Sequence, residues 1–171
     1  MLGNLHPDTQ ESVISQINPQ NTTIILDTMN FWIERAWDEL MHVVSKTNII
    51  TINDEEAFQM TGKTNILSAA KQISEMGPSY VIIKKESMDR ALPQRPNFLA
   101  PAVILDNVVD PTGAGDTFAG GMAGFLASQA TLNFEVLKTA MVYGSSVASF
   151  CVTDFGTKAI VNTSILQIKT S

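Results

Sequence analysis

Cysteine is almost missing from these 171 residues, with Cys151 alone in the chain. One cysteine excludes a disulfide framework and a cysteine-lined metal cage. Histidine is nearly as scarce, and His6 and His42 lie too far apart in sequence for metal-ligand spacing. Basic residues are also few: 11 Lys and Arg face 17 Asp and Glu, a formal net charge of −6. That balance argues against a nucleic-acid binder, which presents a basic face to phosphate. It leaves nucleotide binding open, because a few local donors suffice. Long apolar runs are missing as well, since no stretch approaches the roughly 20 residues that span a bilayer. Met1–Pro7 has neither the basic nor the apolar region of a signal peptide. Together these absences point to a cytoplasmic protein with no membrane or nucleic-acid partner.

What is present is ordinary for a soluble globular domain: 44% hydrophobic and 16% charged residues. Short β-branched runs predict strands at Thr22–Asp27, Thr47–Ile52 and Tyr80–Lys84, with an edge strand over Phe98–Leu105, where Pro101 would break a central ladder. Helical spacing predicts helices over Asp8–Ile17 and over Ile33–Val44, the latter with Trp37, Leu40, Met41 and Val44 facing inward. Further helices follow from Asn53 to a stop at Gly62, over 64–76, over Gly113–Ser128, over Asn133–Val152 and over Thr157–Ile168. Residues 85–97, with Pro93 and Pro96, read as an irregular or hairpin segment. The alternation predicts an α/β fold, a doubly wound and mostly parallel sheet with helices on both faces. Ligands of such sheets bind beyond the carboxyl ends of the strands. Asp27, Asn53, Lys84 and the turn after Asp110 all follow strands and are expected on that edge.

The densest signal is Asp110-Pro111-Thr112-Gly113-Ala114-Gly115-Asp116-Thr117-Phe118-Ala119-Gly120-Gly121. A small-residue turn opens a helix, and backbone N–H groups at a helix N-terminus favour an anion. Asp116 lies inside that corner, as a base beside a phosphate would. Gly120, Gly121 and Gly124 also permit close packing on Gly144, Ser145 and Ala148. Asn53-Asp54-Glu55-Glu56 reads equally as a helix cap with an acidic first turn. Lys84 ends a strand, where it either reaches a phosphate or is merely solvated. Trp32 and Trp37 read as core, and Cys151 as a small buried hydrophobe. Gly62-Lys63-Thr64 is no phosphate loop: Ala57 stands where the first glycine is needed, and residues 53–60 read as helix.

The Asp110–Gly121 string resembles the second signature of the ribokinase-like carbohydrate kinases, the PfkB family. Asn53-x-x-Glu56 is similar to that family's Asn-x-x-Glu motif, and Tyr80–Lys85 and the Gly144–Gly156 region resemble family elements in the same order. The resemblance implies ATP-dependent phosphoryl transfer to a hydroxyl of a sugar or nucleoside. It makes Asp116 the catalytic base and Gly113, Ala114 and Gly115 the anion hole. It places Asp110 and Thr112 near the nucleotide and a monovalent cation site, and Lys84, from its strand end, would reach a phosphate of the same nucleotide. Asn53 and Glu56 would hold magnesium, largely through water and the ATP phosphates.

The resemblance makes residues 1–171 the C-terminal ATP-binding and catalytic part of such a kinase domain. The family's first half, with the remaining central strands, the lid and most sugar-binding residues, has no counterpart here. Missing strands would leave a sheet edge open to self-association. Two readings follow: a sugar or nucleoside kinase, or a truncated nucleotide-binding module without turnover of its own. After Lys84-Lys85 the family places a glycine-containing turn, where this chain has Glu86-Ser87-Met88-Asp89-Arg90.

Overall fold

The computed structural model describes residues 1–85, 88–92, 98–101, 103, 105, 107–164 and 168. The chain divides into two compact units, Met1–Leu99 and Ala100–Ser171.

The first unit is built on parallel strands β1 (Leu2–Gly3), β2 (Ile25–Asp27), β3 (Ile49–Asn53) and β4 (Tyr80–Lys84). Strand β5 (Met88–Leu92) runs antiparallel to β4, as the hairpin reading of this segment expects. The calls on the Glu86-Ser87 turn, Pro93 and Pro96 lie outside the described residues. Strand β6 (Phe98–Pro101) is shorter than the expected Phe98–Leu105, and the order is β1-β2-β3-β4-β5-β6. Among the described residues β1 is thus an edge strand, paired only with β2.

The crossovers between the parallel strands are α1 (Pro7–Ile14), α2 (Asn30–Arg35), α3 (Trp37–Ser45), α4 (Asp54–Thr61) and α5 (Ile66–Glu75). Successive strands lie side by side, so right-handed crossovers put these helices on one face. The core agrees with this. Leu26, Ile50, Ile52, Val81 and Ile83 from the strands cluster with Leu40, Val43, Val44, Met60, Ala69 and Ile73 from the helices. Alternate strand residues point the other way, and Ile25, Ile49, Thr51 and Ile82 are buried too. The mostly parallel α/β sheet expected from the alternation is the one observed, and within this unit its helices cover one face.

Two expectations fail in this unit. The single helix over Ile33–Val44 is two helices, broken at Ala36, whose φ of −144° and ψ of 49° leave the helical region. Nothing in the local sequence marks the break, since alanine is the best helix former. Trp37, expected in the core, is exposed at the start of α3, whereas Leu40 and Val44 are fully buried. Trp32 does pack against the core, edge-on to His6 and Phe31.

The second unit holds α6 (Ala114–Ala127), α7 (Phe134–Cys151) and the short α8 (Lys158–Val161). Within the expected terminal helix over Thr157–Ile168, α8 ends at Val161 and Ile168 is helical again, its N–H bonded to Ser164 O at 3.3 Å, while 165–167 lie outside the described residues. Helices α6 and α7 pack through glycine. A Cβ on Gly121 would meet Val147 at 3.1 Å, and one on Gly144 would meet the Phe118 carbonyl oxygen at 2.7 Å. Gly120 and Gly124, also expected in this contact, face open space instead. Cys151 is buried, as expected.

Candidate active site

The carboxyl ends of β2, β3 and β4 bring together residues from three loops. Register pairs Asp27 with Thr51, and Asn53 with Lys84. By the two-residue period of a strand, Asp27, Thr51, Asn53 and Lys84 therefore share the face opposite the helices α1–α5. That face is apolar further back along the strands and polar here. The Lys84 ammonium reaches across β3 to Asp27 Oδ1 at 2.7 Å, and the Thr51 hydroxyl donates to the same oxygen at 2.6 Å. The pair is largely withdrawn from water, with side chains 20% and 12% exposed. Lys84 is therefore not the solvated strand-end lysine that its position allows.

Asn53 ends β3 and caps α4. Its side chain accepts from Glu56 N at 2.7 Å, and Glu56 Oε2 accepts from Asn53 N at 3.1 Å. This reciprocal capping box satisfies two helix-end donors and bends the Glu56 carboxylate back over the strand end. Burial pushes the Glu56 carboxyl above its ordinary range. The Asn53 N–H and the Lys84 charge oppose that shift, Asp27 adds to it, and the Asn30 N–H opposes it again. The cap reading and the functional reading of Asn53-x-x-Glu56 thus describe one geometry. Helix α4 begins at Asp54, which also removes the phosphate-loop reading of Gly62-Lys63-Thr64.

The second unit carries the glycine turn. Gly113 is the residue before α6, at φ +80°, a backbone position that glycine takes without strain. The turn is closed by Ala114 N on Pro111 O at 3.1 Å. Asn53, Asn65 and Asn133 cap α4, α5 and α7 with their side chains, but no side chain caps α6. The N-terminus of α6 thus keeps backbone donors available to an anion. Asp116 stands in its first turn and is exposed. Asp110 accepts from Thr112 N at 3.0 Å, and bonds from the Thr112 backbone and side chain hold its carboxyl below the usual range. The last turn of α7 supports this segment. Val152 O accepts from Val109 N at 2.8 Å and from Asp110 N at 3.3 Å, and the Cys151 thiol donates to Thr112 O at 3.8 Å.

The family model for pfkB carbohydrate kinases matches residues 3–164. The chain belongs to the pfkB carbohydrate kinase family.

Proteins it is similar to are described as kinases of sugars and nucleosides. It is 28% identical over 124 residues to a cytidine kinase of Thermococcus kodakarensis, which covers 70% of this chain and 44% of that protein. Solved structures that share its fold include two with bound nucleotide. A fructokinase double mutant from Vibrio cholerae O395, in a form with fructose, ADP and potassium ion bound, superposes with a TM-score of 0.82 at 17% identity. That match covers 95% of this chain and 54% of that one. A putative ribokinase II from E. coli, in complex with ATP and magnesium, gives 0.77 at 22% identity, covering 96% and 53%. This pfkB-family chain spans less than half the length of that cytidine kinase and about half of each structural neighbour.

Within the family framework the residues fall into two groups. Asn53, Glu56 and Lys84 gather on the strand edge of the first unit. Asp110, Thr112, Gly113, Ala114, Gly115 and Asp116 occur on the turn of the second. Sequence reasoning placed Asp27 on the ligand edge without assigning it a role, and it passed over Thr51. The available signal was the opposite charges that end two apolar strands, Ile25–Asp27 and Tyr80–Lys84. Cys151 was read as a small buried hydrophobe and Val152 only as a helix end, and only the folded chain shows them holding the glycine turn.

Proposed function

We propose that the protein provides the ATP-binding and catalytic part, residues 1–171, of a kinase that transfers a phosphoryl group from ATP to a hydroxyl of a sugar or nucleoside. The observation that carries this reading is the uncapped N-terminus of α6 behind Gly113, with Asp116 in its first turn. Asp116 acts as base and takes the proton of the acceptor hydroxyl. The Gly113-Ala114-Gly115 turn forms the anion hole, with the Ala114 N–H closing it on Pro111 O and the Gly113 and Gly115 N–H groups stabilising charge on the phosphoryl group in transit, the main contribution a protein makes to this reaction. Asp110 and Thr112 lie beside the nucleotide, and the depressed Asp110 carboxyl suits a monovalent cation there.

Magnesium is the expected partner of ATP. Its donors in this reading, the Glu56 carboxylate and the Asn53 amide, are hard oxygen ligands. Among the described residues no group of three or more His, Cys, Asp or Glu forms a closed cage. One carboxylate and an amide fit an ion that keeps its water and leans on phosphate oxygens. Bound there, the ion would neutralise phosphate charge. Lys84 adds a further positive charge at the same strand edge.

A second reading is a nucleotide-binding module without turnover of its own. We further propose that the open edge of β1 supports self-association. No described helix is long and apolar enough to cross a membrane, and a cytoplasmic location belongs to the same proposal.

Titration with magnesium–ATP tests the shared part of both readings, and saturable binding is expected. A panel of sugars and nucleosides, run with Asp116→Asn as control, then separates them. Phosphorylation that depends on Asp116 supports the kinase, and binding without phosphorylation supports the module.

A further inference from the structure

At the strand edge of the first unit Lys84 pairs with Asp27, and Asn53, the register partner of Lys84 on β3, holds the Glu56 carboxylate in its capping box. Lys84 is bonded to Asp27 at 2.7 Å, and its charge also acts on Glu56. Both members of the ion pair are mostly shielded from water, so the charge of Lys84 is screened less than it would be on an open surface. Thr51 fixes the same Asp27 oxygen from the neighbouring strand, which holds the acceptor in place for the lysine. Removing this one cation would leave the shielded Asp27 carboxylate unpaired at the edge that also carries Glu56, an arrangement that attracts a divalent ion. Nothing in the metal role proposed for Asn53 and Glu56 requires a lysine at this spot.

We infer that Lys84 is a tethered counter-ion: held by Asp27, it keeps the Asp27–Glu56 edge from taking up a divalent cation until a nucleotide brings one. Its compact charge on a flexible stem suits this task, because an ammonium pairs with carboxylate or phosphate without a fixed geometry. In the free protein the pair with Asp27 lowers the attraction for a bare ion. Nucleotide phosphates offer Lys84 a second anion and supply the ligands that the strand edge lacks. The metal then enters as its nucleotide complex. The inference rests on the proposed metal role of Glu56 and adds the selection against free metal.

Binding of manganese alone, with no nucleotide, tests this by electron paramagnetic resonance of the free ion. Lys84→Met and Lys84→Gln, each checked for fold by circular dichroism, should bind Mn2+ about tenfold more tightly than the unmodified chain, the order expected for deleting a nearby half-buried charge. Adding Glu56→Gln to either variant should abolish the gain. Unchanged affinity in both lysine variants overturns the inference, and so does a gain that survives Glu56→Gln. The wider kinase reading is judged separately by magnesium–ATP binding to the unmodified chain. Failure there leaves the manganese comparison valid, so the two ideas can fail independently.

Discussion

A Cβ placed on Gly144 would stand 2.7 Å from the carbonyl oxygen of Phe118, so the α6–α7 crossing tolerates only a hydrogen at that position. Phe118 is buried one turn inside α6, directly after the segment that carries Asp116. Gly144→Ala must therefore push apart the two helices that build the second unit. Overpacking of this kind costs about 1–3 kcal/mol. Gly120→Ala, in the same helix as Phe118 but facing open space, should instead be neutral or gain up to about 1 kcal/mol from helix propensity. Urea denaturation midpoints of the two variants provide the comparison, and equal losses in both would contradict the crossing geometry.

Asp116→Asn should leave stability within about 0.5 kcal/mol, because the side chain is exposed and holds no cap. Magnesium–ATP binding should persist. Any measured phosphorylation should fall by about 10²–10⁴-fold, the usual share of a general base. Isothermal titration and a phosphoryl-transfer assay on the same preparation read both quantities. Turnover unaffected by the substitution would remove Asp116 from the base role.

Glu56 makes stability depend on pH with a definite sign. Burial raises its carboxyl in the folded chain above its ordinary value of 4.5. The folded state therefore holds this proton more tightly than the unfolded state. The resulting stabilisation is fully present below the unfolded value and is lost as pH rises through the folded one. Glu56→Gln keeps an acceptor for the Asn53 N–H but cannot ionise. Its melting temperature, compared with that of the unmodified chain, should gain ground as pH rises from 4.5 towards neutrality. A constant difference across that range would show that Glu56 is not burdened by burial.

Cys151 lies 4% exposed beneath the turn, with its sulfur 4.0 Å from where a Gly113 Cβ would be and 3.8 Å from Thr112 O. Ellman's reagent should label it only as fast as the second unit opens. Cys151→Leu adds volume against the turn and should cost about 1–3 kcal/mol, together with a weaker affinity for magnesium–ATP. Cys151→Ser, of similar size and a stronger donor, should preserve that affinity. Rapid labelling of the native chain would place the thiol elsewhere than under the turn.

Much of the architecture was legible because its determinants are local. Ile49-Ile50-Thr51-Ile52 and Tyr80–Lys84 are β-branched and apolar enough to read as buried strands, and both are strands. Gly62 and Asn133 mark helix ends by their own backbone and side-chain chemistry, and the structure uses them so. The glycine turn was legible for the same reason, since only small residues permit it. The break at Ala36 and the exposure of Trp37 were not legible. Both depend on how α2 and α3 settle on the core, which no neighbouring residue signals.

The sequence by itself determined the α/β alternation and the family and singled out Asn53, Glu56, Asp110 and Asp116 as candidates, because turns, caps and strand periods are written in adjacent residues. The tertiary structure decided what those residues touch. Asp27 and Lys84 are 57 positions apart, and only the register of β2, β3 and β4 makes them an ion pair. Gly121 and Gly144 bear weight in the α6–α7 crossing while Gly120 and Gly124 do not, although in the sequence all four are simply glycines. Contacts of that kind follow from which faces meet once the chain has packed, and a one-dimensional pattern carries no such distances.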